Sequence, residues 1–203
     1  MSFLILYCIV LLMKNTVYRI CGDGMLLAIY IVLSTLTIRL TPNLQITFSG
    51  LSVIMAIVLY GWGDGILIAL LGSFVAQLRS IYGLTITTPL WMVPPILRAV
   101  VFGFIYHLYL KRNIKLQDKK TLFFIYVVIS GLATTIANTG AIFLDAYISY
   151  YSVTMGVIEA VFRFVSSIFS NIAIAGVSLP IIYSLQHAGL IHERLPKEEI
   201  KTN

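Results

Sequence analysis

Charge is scarce in this sequence: of 203 residues, 14 are lysine or arginine and 8 are aspartate or glutamate, whereas 59% are hydrophobic. A water-soluble domain of this size has no use for so much apolar surface, and the mean hydropathy is strongly positive. The chain therefore reads as a multi-span membrane protein of one domain. Cysteine is nearly absent as well. Cys8 and Cys21 lie in apolar N-terminal sequence without metal-type spacing, which excludes a disulfide framework and a zinc site and leaves two small apolar fillers. Enzyme motifs are missing too. His107, His187 and His192 form no H-E-x-x-H pair, there is no G-x-S-x-G, and "GWGDG" is too short for a Walker A loop and lacks its lysine. Uphill transport by this chain would take its energy from another subunit, since the sequence has no means of hydrolysing ATP. No metal or cofactor is implied. The net charge of +6 does not indicate nucleic-acid binding, because the basic residues form no stripe with interleaved aromatics.

What is present is a series of apolar segments. They predict six transmembrane helices, at about 25–40, 48–60, 66–78, 90–110, 121–144 and 153–185. "TPN" ends the first, since Pro42 cannot continue a helix. "GWGDG", with three glycines in five residues, closes the second as a tight turn, and Pro180 lies near the end of the sixth. The opening "MSFLILYCIVLLM" lacks the leading positive charge and cleavage site of a signal peptide and is too short to span. Residues 1–13 are expected to be an extension upstream of a start at Met13, or else a helical lead-in. Residues 14–185 form the membrane domain and 186–203 a polar tail.

Six spans place both termini on one side. Ten of the 14 basic residues (Lys14, Arg19, Lys111, Arg112, Lys115, Lys119, Lys120, Arg194, Lys197 and Lys201) fall at the termini or in the fourth-to-fifth connection, so that side is expected to be cytoplasmic, in a multi-pass protein of the cell membrane. The outer loops, 41–47, 79–89 and 145–152, contain no lysine. Spans two and three hold only about 13 apolar residues each, roughly 20 Å against a hydrocarbon core of about 30 Å, a mismatch relieved by tilting, thinning or packing on a partner.

The other four basic residues are arginines. Arg39 and Arg79, at outer ends of spans one and three, are explained by snorkelling. Arg98 lies seven residues inward of Trp91, about 10 Å below the boundary, and Arg163 lies well inside the sixth helix. A charge at depth costs at least about 2.5–3.5 kcal/mol and needs a partner or a wet cavity. Glu159, four residues before Arg163, is in the favourable order for a helical ion pair. Arg98 has no acid on its own helix. Its guanidinium fork suits either a ligand carboxylate or Glu159 from the sixth helix.

Other polar groups at depth are Gln77, Asn138 and Asn171. Asn138, set among Ala133, Thr134, Ala137 and Ala141, is placed to hydrogen-bond another helix or a polar ligand. Trp91, Tyr82 and Tyr60 fit an interfacial belt or a ligand wall. Small-residue stripes, Gly24-xxx-Ala28 and Gly65-xxx-Ala69-xxx-Ser73, mark close helix packing, internal or against another subunit.

The segments "KNTVYRI" and "LQITFSGLSVIMAIVLYGWGDGILIALLGSFVAQLRSIYGLTITTPLWMVPPILRAVVFGFIYHLYLKR" resemble the substrate-binding S component of energy-coupling factor (ECF) vitamin transporters, over 14 to about 190. The resemblance implies an all-α, six-helix membrane bundle with both termini cytoplasmic that binds a water-soluble vitamin at its outer side. It also implies association with a transmembrane coupling protein and two cytoplasmic ATPases, and toppling to release substrate inside. Gly24-xxx-Ala28 is the nearest match to the Ala-xxx-Ala by which the family's first helix meets the coupling protein. "YGLTITTPLWMVPPILRAVVFG" is most similar to pantothenate-type or folate-type members. One arginine fork at Arg98, an amide at Asn138 and a Trp91 wall suit pantothenate, with Gln77, Tyr82, Glu159 and Arg163 as further candidate ligand residues; folate, with two carboxylates and a pterin, favours a second cation and an aromatic slot. A stand-alone secondary transporter or a membrane scaffold subunit is the alternative class, for which an ionisable relay or internal repeat would be expected.

Overall fold

A computed structural model describes residues 2–36, 38–39, 45–79, 84–112, 119–148 and 153–187. Within these, the side chains of 2–15, 38–39, 45–46, 153–156, Glu159 and Gln186 lie outside the description. The elements are α1 (Ser2–Thr35), β1 (Ile38–Arg39), β2 (Gln45–Ile46), α2 (Gly50–Leu59), α3 (Trp62–Leu78), α4 (Thr88–Lys111), α5 (Lys120–Ile148) and α6 (Val153–His187).

The expected six helices are all there, with three differences at their ends. The apolar 2–13 stretch joins the first span in a single helix. That helix stops at Thr35 rather than Leu40. Ser34 and Thr35 both turn their hydroxyls back onto the Ile31 carbonyl at 2.7 Å, and β-branched residues at 35, 37 and 38 favour extended backbone. Arg39 accordingly belongs to a two-residue antiparallel ladder, Ile38 opposite Ile46 and Arg39 opposite Gln45. Third, "GWGDG" is not all turn. Only Gly61 takes a positive φ, 113°, a conformation open mainly to glycine; the next four residues are the first turn of α3. Asp64 in that turn, where a carboxylate complements the helix dipole, was the signal for the earlier start.

Among the described residues, four helices have the length and hydropathy to cross a membrane, within Thr16–Thr35, Thr88–Lys111, Lys120–Ile148 and Ala160–Leu185. The 17 residues of α3 extend about 25 Å, and the 10 of α2 about 15 Å. α2 packs on α1, α3, α4 and α6, and Gly50 together with Ser52 through Val58 is buried. A helix apolar all round is a helix enclosed all round. The mismatch expected for span two therefore does not arise, because its neighbours, not lipid, surround it. The remaining pairs are α1 with α3, α3 with α4, α4 with α5 and α5 with α6. The β1–β2 ladder and the N-termini of α2, α4 and α6 share one end of the bundle, the hairpin end, and the C-terminus of α4 and the N-terminus of α5 lie at the other.

Glycines set the closest approaches. A Cβ on Gly72 would overlap the ring of Tyr30 on α1, and one on Gly103 the indole of Trp62 on α3. Away from the hairpin end, α1 and α3 are also tied by charge: Arg19 donates from Nε to Asp64 Oδ2 at 2.8 Å and from Nη2 to Oδ1 at 2.6 Å. Gly72→Phe is expected to lower the melting temperature in detergent. The new ring must displace the buried Tyr30 at a cost of about 1–3 kcal/mol, more than the roughly 0.5 kcal/mol gained in helix propensity; an unchanged melting temperature would contradict this packing.

Candidate functional site

On α4 the buried positions Pro94, Arg98, Ala99, Phe102, Gly103 and Tyr106 recur every three to four residues and form the inward stripe. Arg98 belongs to it. The side chain is 9% exposed and reaches across the bundle: Nε donates to Thr134 Oγ1 on α5 at 3.1 Å, and Nη2 donates to Asn171 Oδ1 on α6 at 2.7 Å. Its Nη1 occupies the space where a Cβ on Gly50, the first residue of α2, would lie. Tyr30 of α1 is close to both Ser49 and Arg98. One guanidinium thus touches or approaches α1, α2, α4, α5 and α6.

None of Arg98's partners among the described residues is acidic. Both hydrogen bonds go to neutral oxygens, so no described residue neutralises the charge. Two glycines make room for the arrangement. Gly50 admits the guanidinium, and Gly131 lies against the carboxamide of Asn171, where any Cβ would overlap its atoms. Asn171 is 2% exposed, and its Nδ2 has no hydrogen-bond partner among the described residues.

Nearer the hairpin end the same helices bring together further candidates. Arg163 on α6 places its guanidinium carbon 5.6 Å from the centroid of the Trp91 ring on α4, within cation–π range. Asn138 is half buried, one turn beyond Thr134 on α5. Pro94 and Pro95 lie inside α4 and lack N–H groups, so the carbonyls of Leu90 and Trp91 lose their helical donors there. The Arg163–Trp91 pair and the Arg98 cluster therefore both lie between α4, α5 and α6, with Asn138 on the same face of α5 as Thr134. Gln77, half buried on α3, is not among Arg98's partners. Tyr82 and the side chain of Glu159 lie outside the described residues. Arg79 is exposed and reaches the Ile31 carbonyl at 3.5 Å.

Sequence reasoning missed Thr134 and Asn171 as the holders of Arg98, and with them Gly50 and Gly131. Asn171 stood out as a polar residue at depth, and that was the available signal; the glycines carried none, since their importance lies in what sits opposite. The small-residue stripe on α3 faces inward. Gly65 abuts Ile57, and Ala69 and Ser73 are buried, so they form internal packing and not a docking face. Gly24 and Ala28 are exposed on α1, with nothing within 4 Å of a Cβ at Gly24.

The family model for the ECF transporter substrate-specific component matches residues 19–187. The chain belongs to that family. This S component resembles in fold a solved structure described as the S component of a bacterial ECF transporter. The two share 22% identity with a TM-score of 0.64, over 85% of this chain and 98% of the other. A comparison with curated proteins finds no match. As an S component, the protein is a membrane-embedded, substrate-binding transport subunit that works with an ECF transporter module and is not itself an ATPase.

Removing the Nε acceptor tests the central cluster. Thr134→Val preserves shape but leaves a buried charged donor unsatisfied, and is expected to cost about 1–3 kcal/mol by thermal unfolding. Thr135→Val, whose hydroxyl bonds only its own helix at Gly131, is expected to cost less; equal losses would mean that the Arg98 contact contributes nothing.

Proposed function

We propose that this S component captures a water-soluble vitamin bearing a carboxylate, with pantothenate as the first reading, between α4, α5 and α6 toward the hairpin end. The observation that carries the proposal is the buried Arg98 guanidinium, whose described partners are both neutral. A ligand carboxylate supplies the missing countercharge in bidentate geometry. The Asn138 amide one turn beyond Thr134 suits the ligand's own amide and hydroxyls, and Trp91 forms a wall.

The hairpin end faces outward in this reading and the termini are cytoplasmic, in the cell membrane, as the distribution of ten basic residues supports. The coupling protein meets α1 along Gly24 and Ala28, whose exposed face is flanked by Met25 and Val32, and two cytoplasmic ATPases drive transport. Membership in a family of substrate-specific components favours this over a stand-alone transporter or a scaffold. Folate is the second reading. Arg163 over the Trp91 ring brings another cation and an aromatic surface to the same side of the bundle, as a ligand with two carboxylates and a pterin requires.

Titration of the purified protein with pantothenate, folate, biotin, thiamin and riboflavin checks the proposal. Tight binding of one carboxylate-bearing vitamin is expected. Binding of thiamin or riboflavin in its place would contradict it.

A further inference from the structure

The inference below rests on the reading that Arg98 receives a ligand carboxylate. We infer that Asn171 determines the charge selectivity of that site: its neutral oxygen orients Arg98 without compensating it, and its Nδ2 donates to an oxygen of the ligand beside the carboxylate. The ligand class is a monocarboxylate with a hydroxyl or carbonyl oxygen close to the acid group.

The orientation of the amide follows from its neighbour. Arginine carries donors only, so Oδ1 must face Arg98 and Nδ2 must face elsewhere. Gly131 closes against the amide with no side chain of its own and fixes its plane from the α5 side. The result is a buried donor with no partner among the described residues, next to a buried cation with no counterion among them. Leaving such a donor unmade is costly, and an unmade donor beside a cation bonded to neutral oxygens points to a ligand that brings a charged acceptor. The start of α2 adds to the same field. Gly50 opens that helix beside Nη1, Ser49 makes no side-chain cap bond, and the positive end of the helix dipole faces the same place as the guanidinium.

Carboxamide and carboxylate have nearly the same shape, and that makes position 171 informative. An aspartate there would form a bidentate ion pair with Arg98 and supply internally the charge that the ligand is proposed to supply. Asparagine keeps the geometry and withholds the charge.

The test compares wild type, Asn171→Asp and Asn171→Ser, titrated with pantothenate and with pantothenyl alcohol, in which a hydroxymethyl group replaces the carboxylate. Wild type is expected to prefer the acid strongly. Asn171→Asp is expected to lose about a hundredfold or more in affinity for the acid, to bind acid and alcohol alike, and to melt no lower than wild type. Asn171→Ser retains an oxygen but no Nδ2, and is expected to lose about tenfold for both probes while keeping the preference for the acid. A folded Asn171→Asp that still prefers the acid overturns the charge role; should that variant not fold, Asn171→Ser binding as well as wild type overturns the donor role. Wild type that binds folate alone overturns the monocarboxylate class, and wild type that binds none of pantothenate, folate and biotin removes the underlying reading and this inference with it.

Discussion

A buried guanidinium held by neutral oxygens is the constraint around which this bundle is arranged. A cation at the depth of Arg98 costs a few kcal/mol even on lenient insertion scales, and its two hydrogen bonds among the described residues, to Thr134 and Asn171, use two of its five donors and bring no countercharge. A structural ion pair would have used a carboxylate at 171, which fits the same space. An amide there ties α6 to α4, and in the proposed reading the ligand supplies the charge that the amide withholds.

The rest of the fold makes that arrangement possible. α2 is short because it is internal; its N-terminal glycine gives way to Arg98, and its apolar remainder fills the centre of the bundle. Gly131 does for Asn171 what Gly50 does for Arg98. The exposed apolar faces of α1, α3 and α6 surround this core, and of the described residues Arg19, Lys111, Arg112, Lys119 and Lys120 lie toward the end away from the hairpin. In the proposed reading, substrate enters at the hairpin end and this charged end faces the ECF module.

Much of this was legible in the sequence. Hydropathy alone places six helices, because membrane spans announce themselves by long apolar runs. Arg98 stands out because an isolated charge in such a run is conspicuous. The partners of Arg98 were not legible, because interhelical pairing depends on the rotation of each helix, and threonine or asparagine at depth fits several roles. The stripe Gly65, Ala69 and Ser73 illustrates the same limit: small residues mark a close approach but not which helix approaches, and here it is α2. The start of α3 was misplaced because glycine content outweighed the first-turn signal of Asp64.

The claim that Arg98 binds the substrate's acid group is tested most directly by measuring vitamin affinity for Arg98→Ala beside wild type, with thermal unfolding confirming that the variant is folded. The account predicts loss of binding of a hundredfold or more, since removing one partner of a buried charge pair costs about 2–5 kcal/mol. A folded Arg98→Ala protein that retains wild-type affinity would contradict it.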